Sequence, residues 1–171
     1  EPFHLICGYD DAGSRVAREL TEDGRRVVVV EIDAARADAV DIEDLTIQVP
    51  ALAGDASDPR TLILAGLTHP KCAGVVALTG DDHVNIKIAL TARLLNPELP
   101  VLCAVRDHAS HARMAASGAD HLINPDDTFA ERVALSIRTP SLHVIYESLT
   151  TQTGTAFDDV QKLPRGRWLL C

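Results

Sequence analysis

The feature that most constrains this chain is an alternation: short continuous apolar runs of strand length are each followed by a stretch whose apolar residues recur at helical spacing. Phe3–Cys7 is the first such run, and Ala12, Val16, Ala17 and Leu20 mark the face of the helix after it. Gly24 closes that helix. The valines at 27–30 form a run too continuous for a sheet with one wet face, so both faces of that strand are expected to be covered. Further strands are expected near 46–52, 74–78, 100–105 and 121–123, with helices near 34–41, 58–66, 82–95, 108–117 and 126–138. Strands alternating with helices make a parallel sheet, and right-handed crossovers select the doubly wound, Rossmann-like α/β order 3-2-1-4-5-6 for six strands. A ligand crevice then opens at the carboxyl ends of the first and fourth strands. The connections are too short to hold an inserted substrate domain, which excludes a two-domain dehydrogenase.

At 171 residues the chain is one domain's worth, 46% hydrophobic, with a formal charge of −9. That charge argues against nucleic acid or anionic lipid as a partner. No apolar run reaches the roughly 18–20 residues that span a bilayer. Cys7, Cys72, Cys103 and Cys171 form no C-x-x-C pair, so a reducing compartment is expected and a zinc site is not. The only methionine is Met114, so the sequence reads as a piece of something longer. Residues 1–138 are expected to form the domain, and 139–165 a further helix and a linker. The apolar 166–171, ending Trp168-Leu169-Leu170-Cys171, matches the start of the chain and reads as the truncated first strand of a second copy.

The first strand ends in Gly8-Tyr9-Asp10-Asp11-Ala12-Gly13, where a G-x-G-x-x-G loop would open the first helix. The outer glycines are present; the middle one, which lets backbone approach a diphosphate, is Asp10. Three readings stand side by side. The carboxylates of Asp10 and Asp11 oppose a diphosphate, one like-charge contact costing on the order of 4 kcal/mol at 4 Å. Alternatively Asp10 caps the helix, or the carboxylates join Asp55, Asp81 or Asp82 around a cation. Glu31 lies about twenty positions beyond the loop, where a ribose hydroxyl is read, and Asp33 is expected to cap the next helix. Gly54-Asp55-Ala56 and Thr79-Gly80-Asp81-Asp82 follow the third and fourth strands on the same edge of the sheet.

Together these residues resemble the RCK family, also called TrkA-N or KTN domains, the cytosolic regulators of potassium channels and transporters. The resemblance covers roughly residues 3–138. It rests on the 8–13 loop, Val27-Val-Val-Val-Glu31-Ile-Asp33, Gly54-Asp55-Ala56, Val76-Ala-Leu-Thr79-Gly80-Asp-Asp82 with Asn85, Ala104-Val-Arg106 and Gly118-Ala-Asp-His-Leu-Ile-Asn-Pro125. It implies that Gly8, Tyr9 and Gly13 line the phosphates, Glu31 holds the ribose, Asp55 and Ala56 flank the adenine, and Thr79 and Arg106 face the crevice. It implies NAD or an adenine nucleotide as ligand, weakened here by Asp10 and Asp11, where channel-type members often carry Gly and Arg. The implied partners are a like RCK domain, as a homodimer, a tandem second domain or part of a gating ring, and a membrane potassium pore or transporter subunit. The implied location is cytoplasmic.

Three functional classes therefore stand open. The first is a non-enzymatic gating domain that controls potassium transport by assembly and ligand-dependent conformational change, with nucleotide binding either weakened or retained. A divalent-cation sensor is the second. The third, a small NAD-dependent oxidoreductase, lacks a substrate domain and a proton-transfer constellation; His108 and His111, three apart on one expected helix, read as a polar face. Pairing with a like domain is expected through the helices near 82–95 and 108–117, whose Ile86, Ile88, Ala89, Leu90, Met114 and Ala115 also suit packing on the sheet.

Overall fold

The computed structural model describes residues 1–124, apart from the side chains of His108 and His111. The elements run β1 (Phe3–Cys7), α1 (Asp11–Glu22), β2 (Arg26–Glu31), α2 (Ala34–Val40), β3 (Ala51–Ala53), α3 (Pro59–Leu64), β4 (Cys72–Ala77), α4 (Asp82–Leu95), β5 (Val101–Ala104), α5 (His108–Ala116) and β6 (His121–Ile123). All strand pairs are parallel, in the order β3-β2-β1-β4-β5-β6. This is the doubly wound order expected from the alternation. The expected helix at 126–138, the helix and linker at 139–165 and the strand at 166–171 lie outside the described residues.

Side chains leave the sheet alternately, and each face has its own core. Leu5, Cys7, Val75, Val101 and Cys103 pack with Leu62, Ile88, Ala92 and Met114. Ile6, Val27, Val29 and Ala104 pack with Ala17, Val40 and Val49. Burial on both faces is why the valine run of β2 shows no alternation. Ile88, Ala89 and Met114 are fully buried, so they serve the core rather than a partner, while Leu90 and Leu94 of α4 stay 44% and 80% exposed. Helix α1 ends in a Schellman turn: Gly24 takes φ +75, its N–H bonds Thr21 O, and the N–H of Arg25 reaches back to Leu20 O at 2.8 Å.

Two strand boundaries differ from expectation. The stretch 46–52 yields only Ala51–Ala53, because Pro50 has no N–H to give a ladder; its carbonyl accepts from Val29 N at 2.9 Å and pairing starts there. Val49 is buried from the preceding loop instead. Conversely β4 begins at Cys72, before Gly74, whose missing Cβ leaves room for the His4 ring, 3.3 Å from where that carbon would lie.

One regularity shapes the site. Each of the five described helices follows a strand and is N-capped by an aspartate: Asp10, Asp33, Asp58, Asp81 and Asp107. Parallel strands put all five of these caps at one edge of the sheet. That edge is where the crevice opens.

Candidate functional site

Two glycines of the 8–13 loop are fixed by contact. Gly8 takes φ +99, and a Cβ there would lie 2.9 Å from Thr79 N. A Cβ on Gly13 would lie 2.1 Å from Gly8 O, so the start of α1 can pack on β1 only as glycine. The middle position is different. Asp10 has φ −81 and ψ −168, an extended conformation open to any residue, so its Cβ imposes no backbone strain. What it does impose is a carboxylate on the helix N-terminus: Oδ1 accepts from Ala12 N at 3.0 Å and from Gly13 N at 3.1 Å. These are the free amides that hold an anion at such a helix end. The same geometry that caps the helix places a carboxylate at the helix end.

Behind the loop, Glu31 is a carboxylate only 4% exposed. Its Oε2 accepts from Tyr9 N at 2.7 Å, and its Oε1 accepts from Asp33 N at 2.9 Å and Arg36 Nη2 at 2.8 Å. A buried charge persists only with this kind of pairing. Three of its roughly four acceptor sites are thus committed to tying the β1–α1 loop to the end of β2. Asp33 caps α2, as its position in the sequence suggested. Tyr9 is buried, and its hydroxyl donates to Glu43 Oε2 at 3.0 Å; burial first, and then the Glu43 carboxylate, push the phenol up to about 12.

Across the crevice, Asn85 is fully buried in α4 and pins the loop after β4. Its Oδ1 accepts from Thr79 N at 3.0 Å and from Thr79 Oγ1 at 2.7 Å, and its Nδ2 donates to Thr79 O and Ala104 O, each at 3.1 Å. Arg106 donates from Nη1 to Thr79 O at 2.9 Å. Both Asp82 oxygens accept from Arg106 N, and Oδ2 also from Asp107 N.

Between these loops lies a cavity of about 440 Å³, within the range of small-molecule sites. Of the residues singled out in the sequence, Gly8, Tyr9, Asp10, Glu31, Asp55, Ala56 and Thr79 line it. Gly13 and Arg106 stand behind the wall as packing and loop-pinning residues. Asp11 is exposed and lines a second cavity of about 460 Å³ with Tyr9, Asp10, Arg36 and Glu43. Arg36 was missed from sequence, and it lines both cavities; an arginine two positions into a short helix carries no motif. The candidate cation ligands are dispersed: Asp55 accepts from Ser57 N, Asp81 from His83 N, and Asp82 from the amides after β5. Among the described residues no group of three or more His, Cys, Asp or Glu is placed to hold a metal ion. No described helix is long and apolar enough to cross a membrane.

The family model of the TrkA-N domain matches residues 4–125. A putative K(+) efflux antiporter KefB of Alkalimonas amylolytica is 31% identical over 123 residues, covering 70% of this chain and 17% of that protein. A Trk system potassium uptake protein TrkA homolog of Pyrococcus horikoshii is 27% identical over 148 residues, covering 82% and 62%. The chain thus spans less than two thirds of either relative. Among solved structures, the Kef CTD of Shewanella denitrificans in its AMP-bound form superposes with a TM-score of 0.64 at 18% identity, over 92% of this chain and 86% of that one.

Proposed function

The chain belongs to the TrkA-N domain family, and from that premise we propose that it is a cytoplasmic, non-enzymatic regulatory domain of a potassium channel or transporter, in which Asp10 weakens nucleotide binding. The potassium uptake and efflux proteins among its relatives support the transport role. The observation that carries the reading of the ligand site is the Asp10 carboxylate seated on Ala12 N and Gly13 N. A diphosphate arriving there meets a negative charge and finds its two donors taken. The rest of the crevice supports a ligand site, with Gly8, the acidic Glu31 and the pinned Thr79 in its lining.

Regulation then works by population shift. A ligand between the loops after β1 and β4 favours one spacing of those loops, and a like domain or a pore subunit reads the difference. The exposed Leu90 and Leu94 on α4 support pairing with a like domain on that side. The test is a thermal-shift panel of NAD, NADH, ATP, ADP, AMP and calcium on the wild-type chain and on the Asp10→Gly/Asp11→Arg double variant. A ligand at a hundred times its Kd adds about 2.7 kcal/mol, a shift of several degrees for a domain of this size. Small nucleotide shifts in the wild type and larger ones in the variant are expected. Equal, strong nucleotide shifts in both proteins refute the role given to Asp10, and a shift with calcium alone favours a cation sensor.

A further inference from the structure

The cavity of about 440 Å³ has walls of two kinds. Val30, Ile32, Ala56, Leu78 and Val84 make an apolar surface. Ile32 stands at its edge 70% exposed, a large aliphatic group left open to solvent beside the cavity. The polar part of the lining is one-sided: Asp10, Glu31, Asp55 and Asp81 bring four carboxylates, against one guanidinium from Arg36. That guanidinium is already held by Glu31 at 2.8 Å.

The carboxylates differ in how far they are used. Asp10, Asp55 and Asp81 each accept backbone amides on Oδ1, while no described residue donates to their Oδ2 atoms. The cavity thus offers acceptors in excess, few donors and a net negative charge. By complementarity it suits a ligand that brings O–H and N–H donors, a flat apolar body and no negative charge. A phosphate brings the reverse, namely acceptors and negative charge.

We infer that this crevice takes a phosphate-free, adenosine-type nucleoside in preference to its mono- and diphosphate. The ribose hydroxyls and the exocyclic amine supply the donors that the free carboxylate oxygens lack, and the purine ring matches the aliphatic wall. Adenosine is the part that the AMP of the superposed Kef CTD retains when its phosphate is removed. The inference rests on the proposed role of Asp10 as the group that blocks the phosphate position. A phosphate oxygen held at contact distance from one uncompensated carboxylate loses about a thousandfold in affinity, so the preference is large even if water and salt screen most of it.

Isothermal titration of the whole 171-residue chain with adenosine, AMP and ADP tests it, with the same three ligands titrated into Asp10→Asn and Asp10→Gly. Asn keeps an oxygen for the cap and removes the charge, so it preserves the test if the Gly variant folds poorly. In the wild type adenosine is expected to bind about tenfold or more tighter than ADP, with AMP between them, and Asp10→Gly should reverse the order. No binding of adenosine to the wild type, with ADP binding to Asp10→Gly, overturns the nucleoside inference and leaves the blocking role of Asp10 standing. ADP binding the wild type as tightly as adenosine overturns both.

Discussion

Glu31→Gln changes one oxygen of a buried carboxylate into an amino group, and the surrounding donors turn that small change into a large one. The carboxylate accepts from Tyr9 N on one oxygen and from Asp33 N and Arg36 on the other. A glutamine can point its oxygen at one set only. Its amino group then faces an N–H: either Tyr9 N, which is buried, or Asp33 N together with the Arg36 guanidinium. A buried donor left unpaired costs about 1–3 kcal/mol, and a hydrogen bond to a charged group is worth about 1.5–3. Removing the charge recovers some desolvation, so the net loss is expected at about 2–3 kcal/mol. For a domain of this size that lowers the thermal midpoint by about 5–10 °C. Urea unfolding followed by far-ultraviolet circular dichroism gives the value directly. A double-mutant cycle sharpens it. Arg36→Ala alone is expected to cost about 1 kcal/mol, since that side chain is half exposed. In the double variant the glutamine no longer faces a guanidinium and can give its oxygen to Tyr9, so the combined loss falls short of the sum by about 1 kcal/mol. A loss below about 0.5 kcal/mol for Glu31→Gln, or strict additivity, refutes the claim that this carboxylate ties the loop to the sheet.

Three further outcomes follow from the same structure. Asn85→Leu strips the partners of Thr79 N and Ala104 O inside the protein, and is expected to cost about 3 kcal/mol in urea unfolding; a loss as small as a surface substitution refutes the pin. The Asp120 carboxyl is held below its ordinary value, first by Val101 N and then by Arg93. A depressed folded value means stability present above the ordinary carboxylate range and lost as pH falls through the folded one, so Asp120→Asn should flatten the decline of the thermal midpoint below about pH 4. Burial pushes the Cys103 thiol up to about 12 and raises that of Cys7 as well; both should stay unmodified in the native protein under alkylating reagent, as read by peptide mapping, and react once it is unfolded.

How much of this was legible in the sequence depends on the kind of contact involved. Strand order follows from alternation and chirality, which are local pattern plus a general rule, and β1, α4 and β6 fall where periodicity puts them. The late start of the strand expected at 46–52, at Ala51, was also readable in principle, since Pro50 cannot donate to a ladder. The loop glycines were legible because their roles are steric, and Gly13 meets Gly8 O whatever else is bound. Arg36 was not legible as a site-building residue, and Asn85, quoted for the resemblance, came without a role. Arg36 reaches Glu31 only five positions before it, while Asn85 reaches Ala104 O, 19 positions on; in both cases a lone polar residue on a helix gives no local sign of which way it points. Asp10 falls between these cases. Its identity announced a departure from the glycine pattern, but only the two bonds to Ala12 N and Gly13 N show that this carboxylate caps the helix with the amides an anion would use.

That dual use extends along the whole edge. A parallel doubly wound sheet gathers the N-termini of its helices, and so their partial positive charges, at the carboxyl ends of the strands, and anion binding at this edge is a property of the fold. Among the described helices, all five caps at that edge are aspartates, each worth about 1 kcal/mol to its helix. Each cap therefore stabilises its helix and also sets a carboxylate against the partial positive charge of the helix end. A domain built this way holds its loops in place without a nucleotide, through the Asp10 cap and the Glu31 and Asn85 ties. Under the proposed role of Asp10, a response to a ligand comes from groups other than phosphate, and the free carboxylate oxygens and the open Ile32 are the groups the crevice offers.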